Sequence, residues 1–268
     1  MFDYHVHTSY SPDSQMLMET ACSRAVELGL KEIAITDHID IDWPDSAFPA
    51  LDARTLDQYF EDLTILQEKF KGCLSVKKGI EIGLQPHVLG ECSDIIQAYP
   101  FDFVIASVHL VNGVDPYLGE YYADKTKEES YQLYYREVLS LIKSYDEFDV
   151  LGHLDYIKRY SPFPADDKDH LICSQLTDDI IITLIKKGKG LEINTSGYRH
   201  ESKTPMPHLD IINRYRQFGG KIITLGSDAH RPEHIALGFD NVLKEIKKSG
   251  FSYLTSFTGR IPEYVPIP

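Results

Sequence analysis

The chain has 268 residues, 43% of them hydrophobic, with a formal net charge of −14. That length and apolar content support a full core without disulfide or metal staples and exclude a disordered chain. The acidic balance argues against a nucleic-acid or anionic-membrane surface, which needs clustered Lys and Arg. It still permits a small anionic ligand where bound cations reverse the local charge.

Cys22, Cys73, Cys92 and Cys173 show no CxxC spacing. They are expected as buried, reduced thiols of a cytoplasmic protein. The N-terminus carries no basic segment followed by an apolar one, and no apolar run approaches a membrane span. No composition shift marks a linker, so one domain is expected over residues 1–268.

In chain order, Phe2 to Thr8 reads as a strand with His5 and His7 two apart, hence on one face. Asp13 follows in a loop, and Met16 to Leu28 reads as a helix stopped by Gly29. A second strand, Glu32 to Thr36, runs into Asp37-His38. The loop Ile39 to Arg54 holds Asp42, Trp43, Pro44 and Pro49. Thr55 and Gln58 match a capping box opening a helix with the stripe Leu56, Phe60, Leu63, Leu66 and Phe70. The third strand, Val76 to Gly83, places Glu81 near its end, and a short helix is expected around Cys92 to Ala98.

The fourth strand, Phe101 to Val108, ends in His109, and a loop with Tyr117 follows. Thr126 and Glu129 form a second capping box for a helix reaching about Tyr145. The fifth strand, Phe148 to Gly152, ends in His153, with Asp155 and Arg159 beyond it. A helix around Leu176 to Lys187 leads to the sixth strand, Gly190 to Asn194, followed by Arg199. After a helix over Pro207 to Phe218, the seventh strand starts at Ile222 and ends in Gly226-Ser227-Asp228-Ala229-His230. Glu233 to Lys248 is the last expected helix, and Tyr253 to Phe257 a short terminal strand.

Strand then helix, seven times over, predicts a parallel sheet, here a distorted (β/α)7 TIM-like barrel whose chemistry sits at the C-terminal mouth. The mouth set is His5, His7, Asp13, His38, Glu81, His109, His153, Asp228 and His230. Packing gives no reason to prefer imidazole at so many strand ends. Imidazole plus carboxylate is the ligand chemistry of Zn, Mn or Fe, not of Ca or Mg. Nine ligands exceed the three or four of one catalytic zinc, so two to three divalent ions are expected. Asp13 has the alternative reading of a helix cap or turn residue. Asp37 and Asp155, beside ligand histidines, either orient imidazoles or cap helices. The remaining histidines, His87, His170, His200, His208 and His234, are expected in surface or local hydrogen-bonding roles.

These residues resemble the PHP (polymerase and histidinol phosphatase) superfamily. The likeness runs through His5-x-His7, Thr36-Asp37-His38, Glu81, Ser107-Val108-His109, Gly152-His153 and Ser227-Asp228-x-His230. Gly152 to Tyr160 and Glu192 to Gly197 look like the branch that hydrolyses histidinol phosphate. Asp13 departs from relatives that place His in the first loop. The resemblance implies a (β/α)7 barrel with a trinuclear site. By motif, His5, His7, Glu81 and Asp228 would hold the first metal, and Glu81, His109 and His153 the second. Asp13, His38 and His230 would hold the third.

The activity so implied is phosphomonoester hydrolysis by a metal-activated hydroxide. Glu81, Asp228 and His230 are the expected catalytic residues. Asp228 or a neighbouring imidazole would supply the leaving-group proton, and the sequence does not choose between them. Arg159 and Arg199 are expected to clamp phosphate, as guanidinium does. Asp42, Tyr117, Glu192 and Asn194 are candidates for contacting the amine or imidazole of the substrate. A non-catalytic scaffold of the same family would be expected to lack ligands, and here the set is full.

Overall fold

The computed structural model describes residues 1–44 and 53–267. Seven parallel strands run side by side: β1 (Phe2–Val6), β2 (Glu32–Ile35), β4 (Ser75–Gly83), β5 (Phe103–Ser107), β6 (Val150–Leu151), β7 (Gly190–Asn194) and β8 (Ile223–Gly226). A three-residue strand, β3 (His38–Asp40), resumes after Asp37 and pairs with the end of β4, setting His38 opposite Glu81. The expected second strand stops at Thr36. Its continuation as β3 was not foreseen.

The ring is nearly closed. β8 does not pair with β1 as a ladder; the gap is bridged just beyond β8, between Val6 and Ala229. His7 N donates to Ala229 O at 2.9 Å, and Ala229 N donates to His5 O at 3.3 Å. β1 and the end of β8 therefore meet at a seam between residues that carry mouth ligands.

The helices are α1 (Met18–Glu27), α2 (Ala53–Lys69), α3 (Leu89–Ala98), α4 (Lys127–Ser144), α5 (Ser174–Lys186), α6 (Leu209–Gln217) and α7 (Phe239–Lys248). The Thr126–Glu129 capping box forms as expected: Glu129 N donates to Thr126 Oγ1 at 3.2 Å and Thr126 N donates to Glu129 Oε2 at 2.8 Å. The other does not start its helix, because α2 is already under way two residues before Thr55. Pro49, in the loop before it, lies outside the described residues. α7 starts later than expected, since Pro232–His234 forms a separate 3-10 turn and Gly238 takes a positive φ before the helix. The terminal strand β9 (Tyr253–Thr258) doubles back as the antiparallel strand β10 (Ile261–Pro266).

Opposite the mouth, Tyr4, Phe103 and Phe257 form an aromatic cluster with ring centroids 4.8, 5.0 and 6.4 Å apart. Tyr4 is anchored by accepting Phe257 N at 2.8 Å. A large aromatic buried this way stabilises by about 1.5–3 kcal/mol. All four cysteines are free, but Cys73 is exposed, contrary to expectation, because it lies in the turn after α2 rather than on a core face. Among the described residues no helix is long and apolar enough to cross a membrane.

Candidate metal centre

The nine expected ligands come together at the C-terminal ends of the strands, around Glu81. Glu81 is fully buried near the end of β4. Its Oε2 lies 3.2 Å from His5 Nε2, 3.5 Å from His7 Nε2 and 3.0 Å from His38 Nδ1. Its Oε1 lies 2.9 Å from His153 Nε2 and 3.4 Å from His109 Nε2, and accepts Ser107 Oγ–H at 2.6 Å. One carboxylate thus faces five imidazoles, three on one oxygen and two on the other. At the rim, Asp13 Oδ2 is 2.9 Å from His230 Nε2 and 3.8 Å from His38 Nε2. Asp228 Oδ1 is 3.5 Å from both His7 Nε2 and His230 Nδ1.

Four of these atoms, His5 Nε2, His7 Nε2, His38 Nδ1 and Glu81 Oε2, are buried with no hydrogen-bond partner. Buried polar atoms are ordinarily satisfied, and leaving several together unpaired costs free energy. Neutral imidazole nitrogens converging on a carboxylate are the donors that divalent transition ions take up, so the residues fit such ions. Three groups have ligand atoms within 4.8 Å of one another: His5, His7 and Glu81; His38, Glu81 and His109; and His7, His38 and His230. The structure therefore draws His7 toward the third group and His38 toward the second, beyond the sets carried over by motif.

Electrostatics agree with a cation-binding pocket. Burial alone would raise the Glu81 carboxyl, but His5, His38 and His109 hold it well below the ordinary carboxylate range. Burial, together with His230 and His38 nearby, lowers His7 to about 3, which keeps it neutral and able to donate a lone pair.

A fourth group of similar composition, His170, His208 and Asp210, lies away from the mouth. Its two rings are parallel within 6° at 4.2 Å, so their in-plane lone pairs lie in separate planes and do not converge. Asp210 N already donates to His208 Nδ1 at 3.2 Å, as a helix cap.

Several residues brace the ligands from behind. Asp40 accepts from His109 Nδ1 at 2.9 Å. Asp37 accepts Ser11 Oγ–H at 2.6 Å, and Ser11 Oγ lies 3.1 Å from His7 Nδ1. Asp155 instead ties Lys158 and the backbone of His208, at 2.6 and 3.0 Å. Asp40 escaped the sequence reading because its strand was thought to have ended; its spacing of two from His38 was the available signal.

Over the ligands opens a cavity of about 450 Å³, walled by Trp43, Tyr117, Tyr156 and Tyr160, with Arg159 and Asp115 on its sides. Arg159 Nη1 donates to Asp228 Oδ2 at 3.2 Å. Of the residues expected to touch substrate, Arg159 and Tyr117 line this cavity, and Arg199, Asp42, Asn194 and Glu192 do not. Arg199 donates through Nη1 to Ser227 O at 2.7 Å and through Nη2 to Asp228 O at 2.8 Å, bracing a turn, and lines an adjoining cavity that shares Arg159 and Tyr160 with this one. Asp42 points away and pairs with His87 Nε2 at 2.8 Å. Asn194 is fully buried beneath the ligands, its Nδ2 3.5 Å from Asp228 Oδ2.

The PHP domain model matches residues 3–196. The chain belongs to the PHP family. Among proteins similar to it, the histidinol-phosphatase of Lactococcus lactis subsp. lactis is 34% identical over 96% of this chain and 94% of its own. A probable histidinol-phosphatase of Clostridium acetobutylicum is 32% identical over 91% of this chain and 92% of its own. The crystal structure of the Lactococcus lactis histidinol phosphate phosphatase, complexed with zinc, L-histidinol and phosphate, superposes with a TM-score of 0.91. It is 33% identical and covers 98% of both chains.

Proposed function

We propose that this protein hydrolyses L-histidinol phosphate to L-histidinol and phosphate, as a cytoplasmic enzyme of histidine biosynthesis. The observation that carries the reading is Glu81 ringed by five imidazoles at the floor of a small cavity with Arg159 at its side. The relatives named for this activity match nearly the whole chain.

Divalent ions held by these ligands would lower the pKa of water at neutral pH and neutralise charge on the phosphoryl group. The chain's own residues do the rest. His5, His7, Glu81 and Asp228 would hold the first position, Glu81, His109 and His153 the second, and Asp13, His38 and His230 the third. Arg159 offers guanidinium N–H groups to the phosphate in a largely desolvated setting, where charge-assisted hydrogen bonds are strong. Asp228 and His230 stand at the rim, where a proton can pass to the leaving alkoxide. The walls Trp43, Tyr117, Tyr156 and Tyr160 suit a flat imidazole and exclude water around it. The cavity is of small-molecule size, and the net charge of −14 disfavours a polynucleotide.

The test is phosphate release by metal-loaded protein across small phosphomonoesters. Histidinol phosphate is expected to be turned over far faster than aryl phosphates or nucleotides. Equal rates on an aryl phosphate, or a clear preference for a nucleotide, would overturn the assignment.

A further inference from the structure

Glu192 is 1% exposed and sits in the middle of the apolar strand β7, beneath the ligands and out of the mouth cavity. Its Oε1 lies 2.5 Å from His5 Nδ1. Its Oε2 accepts the backbone N–H of His153 at 2.7 Å and an Asn194 Nδ2–H at 3.3 Å. One buried carboxylate therefore touches the side chain of one ligand and the backbone of another.

We propose that Glu192 is a positioning residue that fixes the tautomer of His5 and so builds the first metal position; this rests on the metal-dependent reading above. An ionised carboxylate only accepts hydrogen bonds, so the His5 proton must lie on Nδ1. Nε2, directed at the Glu81 side, is then the nitrogen whose lone pair a bound metal would take in place of a proton. The same carboxylate, through His153 N, sets where β6 delivers a ligand of the second position. Histidine ligands are generally oriented this way by a carboxylate or carbonyl on the far nitrogen.

Gly226 supports the same arrangement. A Cβ there would meet Glu192 Oε1 at 2.3 Å and His5 Cβ at 2.4 Å. Only glycine at the end of β8 lets carboxylate and imidazole pack together at this point.

Glu192→Gln keeps shape and volume but cannot accept on both sides. If its oxygen serves His5, its NH2 faces the His153 N–H; if its oxygen serves His153, its NH2 faces His5 Nδ1 and favours the tautomer protonated on Nε2. The experiment titrates metal-free wild type and E192Q with Co2+, following ligand-field absorption and calorimetric heat, beside the thermal midpoint of each metal-free protein. One Co2+ site is expected to weaken by about 10- to 100-fold in E192Q, the others holding, with little change in the metal-free midpoint. E192Q binding Co2+ like wild type would overturn the role. So would uniform weakening of all sites in step with a falling metal-free midpoint, which marks a merely structural residue. Wild type taking up no Co2+ would instead sink the metal reading as a whole, and this inference with it.

Discussion

Arg199 holds the backbone of Asp228: its two Nη groups donate to Ser227 O and Asp228 O while Asp228 sits at a φ of 53°. That left-handed conformation is uncommon outside glycine, although aspartate tolerates it better than most. From the other side, Asp3 Oδ1 accepts Ser227 N at 2.9 Å. The turn presenting Asp228, a proposed metal ligand, is thus pinned by Arg199 and Asp3. Arg199→Ala is expected to release it, lowering metal affinity together with kcat, whereas loss of a phosphate clamp alone would raise KM and leave metal content intact. Elemental analysis beside steady-state kinetics separates the two.

Arg159 is the contrasting case. It lines the cavity and contacts the side chain of Asp228. Arg159→Ala is expected to cost about 2–4 kcal/mol in kcat/KM for the phosphomonoester with metals retained, since a charge-assisted contact at a desolvated site is removed. An unchanged kcat/KM would show that the metals alone hold the phosphate.

Glu81→Ala should lose metal and nearly all turnover, because both of its oxygens face imidazoles. Purified wild type should carry two to three transition ions per chain by elemental analysis. His200→Ala, outside the ligand set, should retain both metals and activity. Equal damage from the two substitutions would place the centre elsewhere.

Stability offers a check independent of chemistry. Thr126→Ala removes one half of the capping box that starts α4 and should destabilise by about 1 kcal/mol in urea unfolding, with kcat unchanged.

The barrel, and the gathering of imidazoles and carboxylates at its mouth, were legible because both write a local signal. Short apolar strands end in or just before His or Asp, and that pattern recurs in most of the strand-helix units, β4 carrying Glu81 and β7 being the exception. What stayed hidden depends on partners far away in sequence. Glu192 stood out as a charge inside an apolar strand, yet its partner His5 lies on the first strand, so nothing local told whether it faced substrate or a ligand. Arg199 was read as a phosphate clamp from its place beyond a strand end. Only the fold shows its guanidinium turned toward carbonyls of residues 227 and 228. For Asp42 and Asn194 as well, proximity in sequence to a strand end does not say on which side of the cluster a side chain falls; Asp42 pairs with His87 and Asn194 lies beneath Asp228.

The seam between Val6 and Ala229 also governs the order in which the molecule is completed. His5 and His7 leave the ribosome first, while Asp228 and His230 follow some two hundred residues later. Any nascent chain or proteolytic fragment lacking β8 and the residues beyond it carries seven of the nine expected ligands, on an open ring. Completion of the rim is thereby coupled to a finished polypeptide: a chain cut short before residue 228 lacks Asp228 and His230 and is expected to lose the outermost metal position and activity, although the residues around Glu81 are all present in its sequence.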